Sequence, residues 1–222
     1  TRGYAYQLQG NHQLARNAYE EVLQLSTSGE KSFYVIAATI SLGQLQELDN
    51  QLHQASESYQ NAIKLSGEPP HQIASQAFIG LARINYQWND LESAQEYGKQ
   101  CHELLQQMEN TDTTASYKVF LAYLHLSQRD FTGASDMLDE AEAFVRQNNF
   151  MFQMPDIVAA QVRVLIHRDH LTTALQLAET YNLPISQARI YLAQKNASRA
   201  LQILAPFIQK AKKEGLQNEL LK

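Results

Sequence analysis

The sequence predicts an all-α, right-handed superhelical solenoid of about six helix–turn–helix repeats with a period near 40 residues. Three observations predict it. An alanine recurs as Ala15, Ala55, Ala94, Ala134, Ala174 and Ala200, at spacings of 40, 39, 40, 40 and 26. Apolar residues at helical spacing flank each of these alanines. Helix breakers are scarce among the 222 residues, with Gly at 9 and Pro at 5, while Gln, Ala and Leu are abundant.

An alanine near the start of a second helix has a steric reason. Two antiparallel helices cross closely there, and a bulkier side chain overpacks the crossing at a cost of about 1–3 kcal/mol. Each repeat is therefore read as a helix A, a polar turn, and a helix B that carries the alanine. Repeat one places helices at 1–9 and 12–26 around Gly10-Asn11. Repeat two places them at 31–48 and 51–66, with the apolar run from Phe33 to Leu48 ending at Asn50. Repeat three, at 71–87 and 91–108, turns at Asn89-Asp90. Repeat four, at 113–128 and 131–147, turns at Arg129-Asp130. Repeat five, at 156–168 and 171–181, turns at Arg168-Asp169. The last interval of 26 predicts short helices, at 185–194 and 197–214, after a sharp turn at Asn182-Leu183-Pro184. Residues 215–222 are read as the start of a further helix. Stacked neighbours make one continuous solenoid domain over 1–222, with helices A on the concave face and helices B on the convex face.

The net charge of -5 and the pI near 5.8 give no general attraction to nucleic acid or to an anionic membrane. The charge is uneven. Residues 195–222 hold six Lys/Arg and two Asp/Glu, giving +4, and the rest hold twelve and twenty-one, giving -9. A basic stretch of that size reads as a solvated helix face, so no direct nucleic-acid contact is expected. Cys101 is the single cysteine, which rules out an internal disulfide and fits a reducing, cytoplasmic compartment. No apolar run approaches the ~18 residues that span a bilayer, so no membrane contact is expected. The sequence opens Thr1-Arg2-Gly3-Tyr4 without an initiator Met, which leads us to expect a segment of a longer protein.

Around Ala55 stand Leu42 and Gly43 upstream and Tyr59 and Ala62 downstream, and Ala82 and Ala122 take the place of Gly43 in the next two repeats. These offsets resemble the tetratricopeptide consensus. The stretch Tyr86-Gln-Trp88-Asn89-Asp90-Leu91-Glu92-Ser-Ala94-Gln-Glu96-Tyr97 is similar to the most recognisable part of the tetratricopeptide region in MalT-like transcriptional activators. These are large, ATP-binding, LuxR-type bacterial regulators whose repeats also run near 40 residues. The resemblance covers nearly the whole chain and is most specific over 84–97. It implies a nucleotide-binding switch domain upstream, a helix-turn-helix domain downstream, and a solenoid that receives a small-molecule inducer or a regulatory protein. Inducer and ATP would then drive self-association and transcription activation. The chain has no Gly-x-x-x-x-Gly-Lys-Ser/Thr loop, so neither nucleotide nor DNA binding falls on any residue here and no cofactor is expected within it. The alternative is a plain scaffold that holds a peptide or partner protein, with no transcription role.

Candidate binding residues come from the repeat register. The position eleven residues before each anchor alanine faces the inner groove of a tetratricopeptide unit. It holds Tyr4, Gln44, Arg83, Tyr123, Arg163 and Arg189. Glu47, Gln76, Tyr86 and Asp156 stand on the same helices, and Tyr86 joins the set. Arg offers a rigid fork for oxyanions, and Tyr a ring face with a hydroxyl. The alternative is an ordinary solvated stripe whose members pair with one another.

Other features are read structurally. Trp88 is expected to pack on the following repeat, or else to form an aromatic platform at the groove rim. His167 and His170 have metal-ligand spacing but no third ligand nearby. His12, His53 and His170 fall in corresponding turns. Cys101 reads as a packing residue rather than a nucleophile. No catalytic constellation is present, and the chain is not expected to be an enzyme. Phe144, Phe150, Met151, Phe152 and Met154 make an apolar connection before Pro155, expected to fold into the interface of repeats four and five. Its alternative role is an adhesive patch.

Overall fold

A computed structural model describes residues 2–25, 33–108 and 111–214, with side chains omitted at 8, 207 and 210–214. The helix start expected at 215–222, and most of the basic stretch beyond Arg199, lie outside the described side chains. Among the described residues there are twelve α-helices and no strand. They are α1 (Arg2–Leu8), α2 (His12–Leu25), α3 (Phe33–Leu48), α4 (Leu52–Ser66), α5 (Ser75–Gln87), α6 (Leu91–Leu105), α7 (Thr113–Ser127), α8 (Phe131–Gln147), α9 (Met154–His167), α10 (Leu171–Thr180), α11 (Pro184–Ala193) and α12 (Ala197–Glu214). The all-α repeat is thus as expected. Two helix starts differ. A 3-10 turn, Gln72–Ala74, leads into α5, and His71 Nδ1 caps it by accepting from the Ile73 N–H at 3.3 Å. A second one, Met151–Gln153, leads into α9, which begins two residues before Asp156 because Pro155 fits the first turn of a helix.

The chain divides into two compact units, Thr1–Glu109 and Asn110–Lys222. Each holds three helix pairs, α1–α6 and α7–α12. All six anchor alanines are buried. Five residues before each one, Gly10, Asn50, Asn89, Arg129, Asp169 and Lys195 have φ between 56 and 72°. The next residue's N–H closes back on helix A in the same way every time, from Asn11 to Tyr6, Gln51 to Gln46, Asp90 to Asn85, Asp130 to His125, His170 to Leu165 and Asn196 to Tyr191, at 2.8–2.9 Å. This left-handed helix stop reverses the chain so that helix B runs back along helix A. Asp90 and Asp130 then cap helix B, accepting from the Ser93 and Gly133 N–H groups at 3.1 and 2.9 Å.

Small residues set the helix spacing in the N-terminal unit. A Cβ on Gly43 would meet the Tyr59 ring at 2.8 Å, and one on Gly80 would collide with its other edge. Tyr59, on α4, is fully buried between α3 and α5. Gly3 and Tyr19 repeat that contact one repeat earlier, where a Cβ would come within 2.6 Å of the ring. The C-terminal unit has one apolar core, centred on Leu138, Val145, Met154, Ile157, Val158 and Ile190. Phe144 and Phe150 pack against it with ring centroids 6.2 Å apart, and Met154 is buried within it. Met151 and Phe152 instead stand 43% and 56% exposed, so the apolar connection is only half absorbed by the repeat interface.

Candidate functional site

The stripe position lies within each helix A, directly after a buried residue. In the N-terminal unit Tyr4 on α1 is half exposed, and Gln44 on α3 and Arg83 and Tyr86 on α5 are half-buried. Arg83 is not a lone cation. Its Nε and Nη2 donate to the two carboxylate oxygens of Glu47 at 3.1 and 2.9 Å, a bidentate fork from α5 to α3. The Tyr59 hydroxyl donates to Glu47 Oε2 at 3.0 Å. Glu47 therefore joins the stripe arginine to the buried core tyrosine. Burial, then the Glu47 charge, hold the Tyr59 phenol well above its usual range, so it remains a neutral donor. Tyr19 makes the equivalent bond to Gln7 at 3.0 Å one repeat earlier.

In the C-terminal unit the stripe residues are Tyr123 on α7, Arg163 on α9 and Arg189 on α11. α9 packs beside both α7 and α11, the helices that carry the other two. The Arg163 guanidinium lies over the Tyr123 ring, 5.3 Å from its centroid. Arg189 is half-buried, and burial, together with the nearby charge of Arg163, pulls its guanidinium below the usual arginine range. Among the described residues no carboxylate stands within ion-pair distance of Arg163 or Arg189.

The sequence places Glu47 among the stripe helices and offers pairing within the stripe as the alternative, but it does not assign Glu47 to Arg83. Glu47 was visible on the right helix, but its match to a residue 36 positions away depends on how α3 and α5 stack. Trp88, expected on the following repeat, instead stacks on His53 of the preceding one, with centroids 4.9 Å apart. Trp88 caps the C-terminus of α5, and its ring lies against the start of α4. Cys101 is fully buried, and burial pushes its thiol up to about 12, which suits packing and not nucleophilic attack. His167 stacks on Phe131 at 5.3 Å, and His170 sits exposed at the start of α10. Among the described residues no group of three or more His, Cys, Asp or Glu side chains could hold a metal ion. An open pocket of about 240 Å³ lies between α8, α9 and α10, lined by Ser135, Leu138, Asp139, Gln161, Val164, Leu165 and Leu177. None of the stripe residues lines it. No described helix is long and apolar enough to cross a membrane.

Paired antiparallel helices, buried alanines at the crossings and a side-chain stripe on helices A define a tetratricopeptide-type helical repeat, a scaffold-like class. Comparison with family models is more specific. The MalT-like TPR region matches over residues 1–222, and the chain belongs to that family. No curated protein matches its sequence.

Proposed function

We infer that this chain is the sensing and protein-interaction region of a MalT-like, LuxR-type transcriptional activator. It takes a small-molecule inducer or a regulatory protein along the helix-A stripe, and it works by binding, without catalysis or a cofactor of its own. The observation that carries this reading is the family match across the whole chain, and the arginine and tyrosine stripe supplies the contact chemistry. The other partners of this reading are a nucleotide-binding domain, a helix-turn-helix domain and a second copy of the regulator, all in the cytoplasm. ATP and DNA are handled by those domains, and residues 1–222 act as one binding solenoid. Calorimetry or thermal-shift screening of the chain against sugars, nucleotides and peptides tests direct sensing, and at least one class is expected to bind. A flat response across a broad library counts against a small-molecule inducer. In the full-length regulator, Arg83→Glu and Arg163→Glu are expected to abolish induction of a reporter. Induction that survives both changes overturns the role of the stripe.

A further inference from the structure

The stripe repeats one chemical pattern and then departs from it. In the N-terminal unit the residue three places after the stripe position on α3 is Glu47, and it takes both the Arg83 fork and the Tyr59 hydroxyl. The same place is Leu126 on α7 and Ile166 on α9. Both are partly buried against the apolar core of the C-terminal unit. The tyrosine position on helix B, four after the anchor, is Leu138 in repeat four, a core residue. The substitution is thus concerted. Where the acid is gone, the buried hydroxyl that needed it is gone too, and the arginine remains.

Three acids of this unit are engaged elsewhere. Glu142 accepts from Arg146 at 2.8 Å and from Gln161 at 2.9 Å. Glu140 pairs with Lys118. Asp130 is committed to the α8 cap and to His125 at 2.8 Å. Among the described residues, the half-buried Arg163 and Arg189 thus have no carboxylate within ion-pair distance. Ligand-free, they repel each other, and the shift of Arg189 has that repulsion as its second cause after burial. The Arg163 guanidinium stands 5.3 Å from the Tyr123 ring centroid, and a guanidinium beside a ring still carries five N–H donors.

We propose that Arg163 and Arg189, with Tyr123 beneath Arg163, form a binding site for a small dianionic oxyanion, of the phosphate monoester or dicarboxylate class. The ligand replaces the carboxylate that Glu47 supplies to Arg83, and two positive charges select a double negative one. This rests on the reading that the helix-A stripe is where the region receives its ligand, and it specifies the ligand's charge.

Titration calorimetry of the 222-residue chain at low ionic strength tests it with inorganic phosphate, phenyl phosphate, succinate and neutral glucose. At least one dianion is expected to bind, and glucose is not. Stronger binding of the phosphates assigns the phosphate class, and stronger binding of succinate the dicarboxylate class. Arg163→Gln and Arg189→Gln should each weaken binding by about tenfold or more, the effect of losing one charge-assisted hydrogen bond. Arg163→Lys, which keeps the charge and loses the fork, should fall between. Leu126→Glu should abolish binding by installing the internal counter-ion, while Arg16→Gln, on α2 and outside the stripe, leaves it unchanged. Circular dichroism melting confirms that each variant is folded. No binding of any dianion, or an affinity in Arg163→Gln and Arg189→Gln equal to that of the unchanged chain, overturns the proposal. If sugars or peptides bind while dianions do not, the sensing reading survives and the anion site falls. If dianions bind at these arginines but leave the full-length regulator unresponsive, the reverse holds.

Discussion

Arg83 and Arg163 hold the same place in their repeats and meet opposite surroundings. Arg83, in the N-terminal unit, forks onto Glu47, which also satisfies the core hydroxyl of Tyr59. Arg163, in the C-terminal unit, rests on an aromatic ring beside a second arginine, with aliphatic side chains where the acid would be. The backbone is the same in both: the anchor alanines are buried and the left-handed turns recur at the same offset. A helical repeat can thus hold its frame constant and change its charge chemistry through two side chains per repeat. One unit then has a neutralised stripe and the other an open one.

The largest expected effect tests the core half of that contrast. Tyr59 fills the gap between Gly43 and Gly80, where nothing bulkier than hydrogen fits opposite its ring. Tyr59→Ala should destabilise the N-terminal unit by about 3–5 kcal/mol, measured by urea denaturation. Gly80→Ala drives a methyl into the same ring and should cost about 1–3 kcal/mol. If either change were neutral, the tyrosine would not be the spacer of these helices.

Next comes the polar link. Glu47→Leu gives the N-terminal unit the side chain that the C-terminal unit has at this place. It strands the buried Tyr59 hydroxyl, so it should cost about 1–3 kcal/mol, although Arg83 can turn to solvent. Adding Tyr59→Phe removes the stranded group, and the double variant should recover part of the loss. A double-mutant cycle measures that recovery, and strict additivity would show that the two side chains act separately.

A pH ramp should also separate the units. Tyr59 and Cys101 both lie in the N-terminal unit, and burial raises the pKa of each, that of Cys101 to about 12. A folded-state pKa above the unfolded one gives stability that is complete below the unfolded value and is lost as pH rises through the folded one. The unfolded thiol and phenol release protons from about pH 8.5 and 10. The N-terminal unit should therefore weaken with increasing alkalinity from about pH 8.5 upward. Hydrogen exchange or site-resolved melting should show its amides opening before those of the C-terminal unit. In Cys101→Ala the onset should move to higher pH. An unchanged onset would mean that the thiol does not carry the early part of the slope.

The frame was legible from the chain because its determinants are local. An alanine at a crossing, a polar turn and a helical apolar period all fall within one repeat, and the helix bounds follow from them. The stripe was legible as a register. Its pairing was not, because Arg83 to Glu47, Trp88 to His53 and Arg168 to the Phe131 carbonyl at 2.8 Å each join residues 35 to 37 positions apart. Such contacts depend on the rotation of one helix pair against the next, which no short pattern encodes. The division of the 144–154 connection into buried Met154 and exposed Phe152 has the same origin, since both are equally apolar in sequence. The absent counter-ions at Leu126 and Ile166 were in plain view in the sequence. They gained meaning only once Glu47 was seen on Arg83.

The smallest effect probes the part the two units share. Their inter-helix turns adopt one left-handed conformation, but the residues that adopt it differ. The N-terminal unit uses Gly10, Asn50 and Asn89, types that enter this region readily, whereas the C-terminal unit uses Arg129 and Lys195 beside one such type, Asp169. Arg129 has φ 61° and Lys195 φ 60°, where a Cβ costs about 1–2 kcal/mol. Glycine removes that strain and returns about 0.4–1 kcal/mol through the freedom it adds to the unfolded chain. Arg129→Gly and Lys195→Gly should therefore stabilise the C-terminal unit by about 0.5–1 kcal/mol each, and Asn50→Gly or Asn89→Gly should do less. Gly10→Ala, the converse change, should destabilise by about 1 kcal/mol. Chemical denaturation at matched conditions checks the ordering. If Arg129→Gly were no more stabilising than Asn89→Gly, the turns would be equally relaxed in both units, and the difference between them would reduce to the stripe.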